Sequence, residues 1–188
     1  MRAGPIFPPE VFFEADGLRL SWRRRTAAGR YAGDFLAWSD MRDADPSAAP
    51  PEIRLAAGRT VFISAELRDQ LTDALWAASV PIVRRPGVWG HLLDPFLDTD
   101  YSIVRERFEG DLRRWGFDEA ETRRIRRRVR VRMHAMTLLT WEWAGYGQSD
   151  LLLARFRLPP RWTPWWRYRR FREWTDVIAD RPTESGRR

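Results

Sequence analysis

The sequence predicts an α+β fold in two parts: an antiparallel, curved, strand-rich lobe with one capping helix over residues 1–83, then a small α-helical bundle rich in Arg and Trp over residues 84–188. Three observations predict it. Short segments of apolar/polar alternation, separated by turn dipeptides, run as far as residue 63. From residue 64 onward apolar residues recur at helical spacing. Charge divides along similar lines: residues 1–100 hold 12 Arg and 14 acids, net −2, whereas residues 101–188 hold 21 Arg and 12 acids, net +9.

The first elements follow in order. Pro5, Pro8 and Pro9 make an extended arm. Val11–Ala15 and Leu18–Trp22 flank the turn dipeptide Asp16-Gly17 and predict a β-hairpin. A loop is expected over 27–33, then a short strand Phe35–Trp38 that ends in the polar run Ser39–Asp45. Pro46–Pro51 is a loop by composition, and Ile53–Leu55, Ala57-Gly58 and Thr60–Ile63 predict a second hairpin. Ser64 is placed to cap a helix carrying Leu67, Leu71, Ala74, Leu75 and Ala78 on one face, closed by Pro81.

Strands followed by one amphipathic helix, with Trp38-Ser39-Asp40-Met41-Arg42-Asp43 leading into Glu52–Ser64, resemble bacterial pleckstrin-homology-like domains over about residues 10–80. The resemblance implies a C-terminal helix packed on a curved antiparallel sheet of seven strands, of which about five are countable here. It also implies binding of proteins or, in some members, of phosphoinositides through basic residues of the first strand–strand loop. Arg23, Arg24, Arg25 and Arg30 fall near that loop, although the lysine-containing lipid signature is absent.

Beyond the boundary near residue 84, the run Pro81–Gly87 has linker composition, and Trp89–Tyr101 follows with no element assigned to it. A helix is expected over Ser102–Trp115, with Ile103, Phe108, Leu112 and Trp115 on one face and Gly116 closing it. Asp118-Glu119-Ala120-Glu121 has the acid-rich form of a helix start. The helix that follows runs to about Ala144 and buries Ile125, Val129, Met133 and Met136, continuing into Leu139, Trp141 and Trp143. A short helix at Asp150–Phe156 precedes a last one opened by Thr163 and Pro164, with a frayed tail from Arg181.

Composition excludes several chemistries. With no Cys there is no disulfide, thiolate zinc site or cysteine nucleophile, which fits a reducing compartment. All 33 basic residues are Arg, so lysine Schiff-base and P-loop chemistry are excluded, and every cationic contact can form a carboxylate or phosphate fork. The N-terminus lacks the apolar run of a signal peptide and no stretch approaches roughly 18 apolar residues, so the expected compartment is the cytoplasm. No glycine-rich phosphate loop, nucleophile elbow or other cofactor motif is present. Asp94, Asp98 and Asp100 do not have calcium-loop spacing, and His91 and His134 lack metal-type companions.

Two basic constellations remain. Arg123, Arg124, Arg126, Arg127, Arg128, Arg130 and Arg132 occupy seven of ten successive positions and wrap a helix everywhere except the Ile125/Val129 stripe. Either they are ion-paired with Glu106, Glu109, Asp111, Glu119 and Glu121, or they bind an anionic polymer or acidic partner. The last helix interleaves Arg161, Trp162, Trp165, Trp166, Arg167, Arg169 and Arg170 with a face of Tyr168, Phe171, Trp174, Val177 and Ile178. That composition fits a docked aromatic helix, a surface for single-stranded nucleic acid or, less well, a membrane-surface helix. The sequence therefore predicts a non-enzymatic adaptor or regulatory protein with another protein as partner. The alternative is a DNA- or RNA-binding protein using Arg123–Arg132 and Arg161–Trp174; an enzyme is left without a candidate acid/base pair, and oligomeric state is not legible.

Overall fold

A computed structural model describes residues 6–22, 27–97, 104–140, 145–157 and 164–181. Its architecture is α+β: among these residues there are two open antiparallel sheets of three strands each and seven α-helices. The chain divides into two compact units, residues 1–85 with 163–176, and residues 86–162 with 177–188.

In the first unit, β1 (Glu10–Glu14), β2 (Gly17–Ser21) and β3 (Phe35–Ala37) form one sheet in that order. The period-two pattern of β2 sends Leu18 and Leu20 inward and Arg19 outward, where it donates two hydrogen bonds to Glu14 at 2.6 and 2.9 Å. The second sheet comprises β4 (Met41–Asp45), β5 (Glu52–Leu55) and β6 (Thr60–Phe62). Both sheets and α2 (Arg68–Ala77) contribute to one core that includes Leu18, Leu36, Ile53, Val61, Ile63, Leu71 and Leu75. Each such side chain contributes about 1.5–3 kcal/mol by leaving water.

Three local expectations are corrected. The polar run 39–45 contains β4 because its acids are satisfied where they are buried: Asp43 accepts from Arg42 (2.9 Å) and Arg85 (2.6 Å), and Asp45 from the backbone amides of Ser47, Ala48 and Arg85. Residues 27–32 form α1 rather than a loop. Gly29 sits inside that helix because a Cβ there would lie 2.9 Å from the Trp22 ring, and the helix stops where the Gly33 amide bonds the Gly29 carbonyl at 2.8 Å. Ser64 caps through its backbone carbonyl and not its hydroxyl: it accepts the Leu67 amide at 3.0 Å in a 3₁₀ turn that precedes α2.

In the second unit, α3 (Val88–Leu93) and a 3₁₀ turn Asp94–Phe96 occupy a stretch to which the sequence assigns no element. Then come α4 (Arg105–Arg114), α5 (Glu119–Thr140) and α6 (Gln148–Arg157). Helix α3 packs on α4 and α5, and α5 on α6. As the periodicity predicts, α5 buries Ile125, Val129, Met133 and Met136; Trp141, Trp143, Ile103 and the Leu139 side chain lie outside the described residues. Helix α4 ends in a Schellman motif, with Gly116 at φ +81°, its amide on the Arg113 carbonyl and the Phe117 amide on the Leu112 carbonyl. The Asp118 carboxylate then accepts the Glu121 amide at 2.7 Å and starts α5.

The last helix, α7 (Trp165–Ala179), opens at Pro164, whose carbonyl accepts the amides of Arg167 and Tyr168; Thr163 is outside the described residues. Its residues as far as 176 belong with the strand-rich unit. The buried face differs from the one expected: Tyr168, Phe171 and Ile178 are buried, but Val177 is exposed and Arg172, Thr175 and Asp176 are buried with them. The cause is polar, since Asp176 and Arg172 have partners on α1 and β6. Arg181, expected to be frayed, donates to Glu121 at 2.7 and 2.8 Å and to the Gly116 carbonyl. Residues 182–188 are not described.

Candidate interaction surfaces

The first surface is a groove of the strand-rich unit, about 480 Å³ in volume, between α2 and the chain segment 82–84. It is lined by Arg68, Asp69, Thr72 and Trp76 of α2, by Ile82, Val83 and Arg84, and by the turn Asp45–Ser47. Segment 81–83 runs parallel to β4 and pairs with it only at Ala44, whose amide bonds the Pro81 carbonyl and whose carbonyl accepts the Val83 amide. This parallel pairing turns the Ile82 amide and carbonyl away from β4. Arg68 is held by the carbonyls of Pro46 and Ala48 and braces the turn. Trp76 is 72% exposed. None of these residues was singled out from sequence, although one signal was present: Trp76 falls off the Leu71/Leu75 stripe, on the polar side of α2.

The second surface is the outer side of α7. Trp165 is half-buried, with the Arg30 guanidinium 4.7 Å from its ring centre and Tyr168 at 6.0 Å. Trp166 is 54% exposed and carries Arg167 at 5.0 Å. Arg169 is committed to Glu173 at 2.7 Å, while Arg170 is exposed. The helix thus docks Trp165 and displays Trp166. Arg161 and Trp162 lie outside the described residues, as do Arg23, Arg24 and Arg25 of the proposed lipid loop.

The third surface is α5. Arg126 is structural: it donates to the carbonyls of His91 and Leu92 at 3.2 Å, capping the last turn of α3, and lies 3.8 Å from Glu109. Arg123 donates to the Glu119 carbonyl at 3.4 Å and lies 3.8 Å from the Glu119 carboxylate, both side chains largely exposed. The remaining acids expected to neutralise the run are largely used elsewhere: Asp111 binds Arg114 and His91, and Glu121 binds Arg181. Arg124, Arg127, Arg128 and Arg130 are exposed.

The histidines serve structure. His91 packs on Phe108 and Trp115 with ring centres 4.1 and 4.7 Å away and contacts Asp111 at 3.2 Å; His134 packs edge-on against Phe96. Asp94 sits in a 3₁₀ turn, its carboxyl pushed above the usual range by burial; Asp98 and Asp100 are outside the described residues. Among the described residues no group of three or more His, Asp or Glu is arranged to hold a metal ion, and no helix is long and apolar enough to cross a membrane.

No protein-family model matches this chain, and comparison with curated proteins and with solved structures finds no match.

Proposed function

We propose that this chain is a protein-interaction module, an adaptor or regulatory subunit, that takes an extended peptide segment of its partner into the groove between α2 and residues 82–84. The observation that carries the reading is the pairing of an exposed aromatic wall with a strand edge: Trp76 stands beside Ile82, whose backbone groups are turned away from β4. An added strand gains affinity from main-chain hydrogen bonds and specificity from side chains that fill adjoining pockets. Trp is among the residues that most often dominate binding energy at such contacts. The pleckstrin-homology-like reading of residues 10–80 is part of the proposal. Its support is two three-stranded antiparallel sheets followed by α2, a sequence of elements compatible with that architecture.

The test is selection of random extended peptides against the purified chain, followed by fluorescence anisotropy titration on the parent and on Trp76→Ala. Selected peptides should bind the parent in the micromolar range and lose at least tenfold on Trp76→Ala, whose exposed position leaves the melting temperature unchanged. Failure to select any peptide, or equal binding by the variant, overturns the proposal.

A further inference from the structure

The outer face of α5 is not used by the groove, and it lies in the other compact unit. We infer that this face binds the phosphodiester backbone of nucleic acid, with Arg123, Arg127 and Arg130 as a ridge of guanidinium groups.

The ridge follows from helix geometry. Steps of four and three residues place Arg123, Arg127 and Arg130 on one line, about 10 Å from first to last at 1.5 Å per residue. This line is opposite the buried stripe of Ile125, Val129 and Met133. Arg124 and Arg128 extend the exposed basic face on its other side.

The ridge is also under-neutralised. Among the described residues Arg127 and Arg130 have no carboxylate within 4 Å, and Arg123 has the Glu119 carboxylate at a long, solvent-exposed 3.8 Å beside a 3.4 Å hydrogen bond to the Glu119 carbonyl. The same unit shows what a structural arginine looks like: Arg126 caps α3, and Arg181 forks onto Glu121 at 2.7 Å while lying 3.6 Å from the centre of the Phe117 ring. The ridge arginines do neither. On the flank of the ridge the Arg128 guanidinium is held below its usual value, mainly by partial burial and to a lesser extent by the charge of Arg132.

The chemistry of the face selects the partner. A protein interface needs a desolvated apolar or aromatic anchor, and a membrane-surface helix needs an apolar stripe. Among the described side chains on this side, α5 exposes one apolar group larger than alanine, Val131. A regular series of arginines without an anchor suits a repeating phosphate chain, recognised by charge and independent of base sequence.

The experiment uses the full chain with fluorescently labelled 20-bp duplex DNA and 20-nucleotide single-stranded RNA of unrelated sequence, in anisotropy titrations from about 50 to 200 mM salt. Polyglutamate serves as the acidic-protein arm. Binding to at least one nucleic acid should weaken with log salt at a slope of about −2 to −3, as expected for three phosphate contacts. Each of Arg123→Ala, Arg127→Ala and Arg130→Ala should reduce the slope by about 1 on the duplex, and the triple variant should weaken binding at least thirtyfold. Arginine-to-lysine replacement at all three should retain most of the affinity while the melting temperature stays put. No binding at 50 mM salt, equal binding of polyglutamate, or binding unmoved by the triple variant overturns the inference. Trp76→Ala should leave nucleic-acid binding unchanged, so this inference and the peptide groove stand or fall separately.

Discussion

Tyr31 of α1 donates its hydroxyl hydrogen to the Asp176 carboxylate of α7 at 2.9 Å, joining residues 145 positions apart in a buried contact. Asp176 also accepts the Thr60 amide at 3.3 Å. Beside it the Arg172 guanidinium lies 4.9 Å from the Tyr31 ring centre and 5.2 Å from that of Phe62, and donates to the Thr60 carbonyl. Helix α1, strand β6 and helix α7 are therefore tied by one polar cluster, and each buried polar group in it that lost its partner would carry a desolvation cost. Burial, and then the charge of Asp176, drives the Tyr31 hydroxyl well above the usual tyrosine range; burial pushes Tyr168 up to about 12.

Tyr31→Phe should destabilise the chain by about 1–3 kcal/mol, because Asp176 stays buried after losing a donor. Urea unfolding at pH 7 measures it. The alkaline limb carries the sign. An unfolded tyrosine ionises near pH 10, whereas folded Tyr31 holds its proton to higher pH. Its contribution is complete below about pH 10 and falls as pH rises toward the folded value. Above about pH 10 the parent should lose stability more steeply than Tyr31→Phe; parallel losses would show that Tyr31 does not carry this dependence.

Arg172→Met keeps most of the side-chain volume and removes the charge. It strips the Thr60 carbonyl of its donor and two aromatic rings of their cation, for an expected loss of about 2–4 kcal/mol. Arg170→Met, two residues away and exposed, should change stability by less than about 0.5 kcal/mol. Chemical denaturation of both variants checks the contrast, and equal effects would contradict the assigned geometry.

Gly29→Ala tests the close approach of α1 to Trp22. In an open helix the change would stabilise by up to about 1 kcal/mol. Here the new methyl group would lie 2.9 Å from two ring atoms of Trp22, whose Nε1 is fixed on the Gly33 carbonyl at 3.1 Å. Overpacking should dominate and cost about 1–3 kcal/mol. A rise in melting temperature would mean that the Trp22 ring yields freely.

These variants also mark how far the sequence could be read. The hairpin β1–β2, the β5–β6 hairpin and the buried stripe of α5 were legible because each repeats a period of two or of three to four residues with its turn residues in place. Helix α1 was not, since Gly29 reads as a loop residue until the Trp22 ring is set against it. Strand β4 was not, since Asp43 and Asp45 read as solvent-facing until Arg85, forty residues on, brings them its guanidinium and its amide. The face of α7 was misjudged for the same reason: Arg172 and Asp176 count as polar in any helical pattern, and their partners Tyr31 and Thr60 are more than a hundred residues away. Of the candidate arginines, sequence singled out Arg126 and Arg127 alike, yet one caps α3 and the other faces solvent. Only three-dimensional placement separates them.

The Arg181–Glu121 fork gives the second unit an acid-sensitive link. Arg181 donates to both carboxylate oxygens of Glu121, at 2.7 and 2.8 Å, and to the Gly116 carbonyl that ends α4. These hydrogen bonds hold the Glu121 carboxyl below its ordinary value. An unfolded glutamate ionises near pH 4.3. Because the folded value is lower, the contribution is present above about pH 4.3 and is lost as pH falls through the folded value. Both side chains are about three-quarters covered, so Arg181→Ala should cost about 1–2 kcal/mol at pH 7, more than an exposed pair. The difference between parent and variant in urea unfolding should shrink from pH 7 toward pH 3. A difference that holds constant over that range would place the stabilisation in the contacts of Arg181 with Phe117 and Gly116 and not in the ion pair.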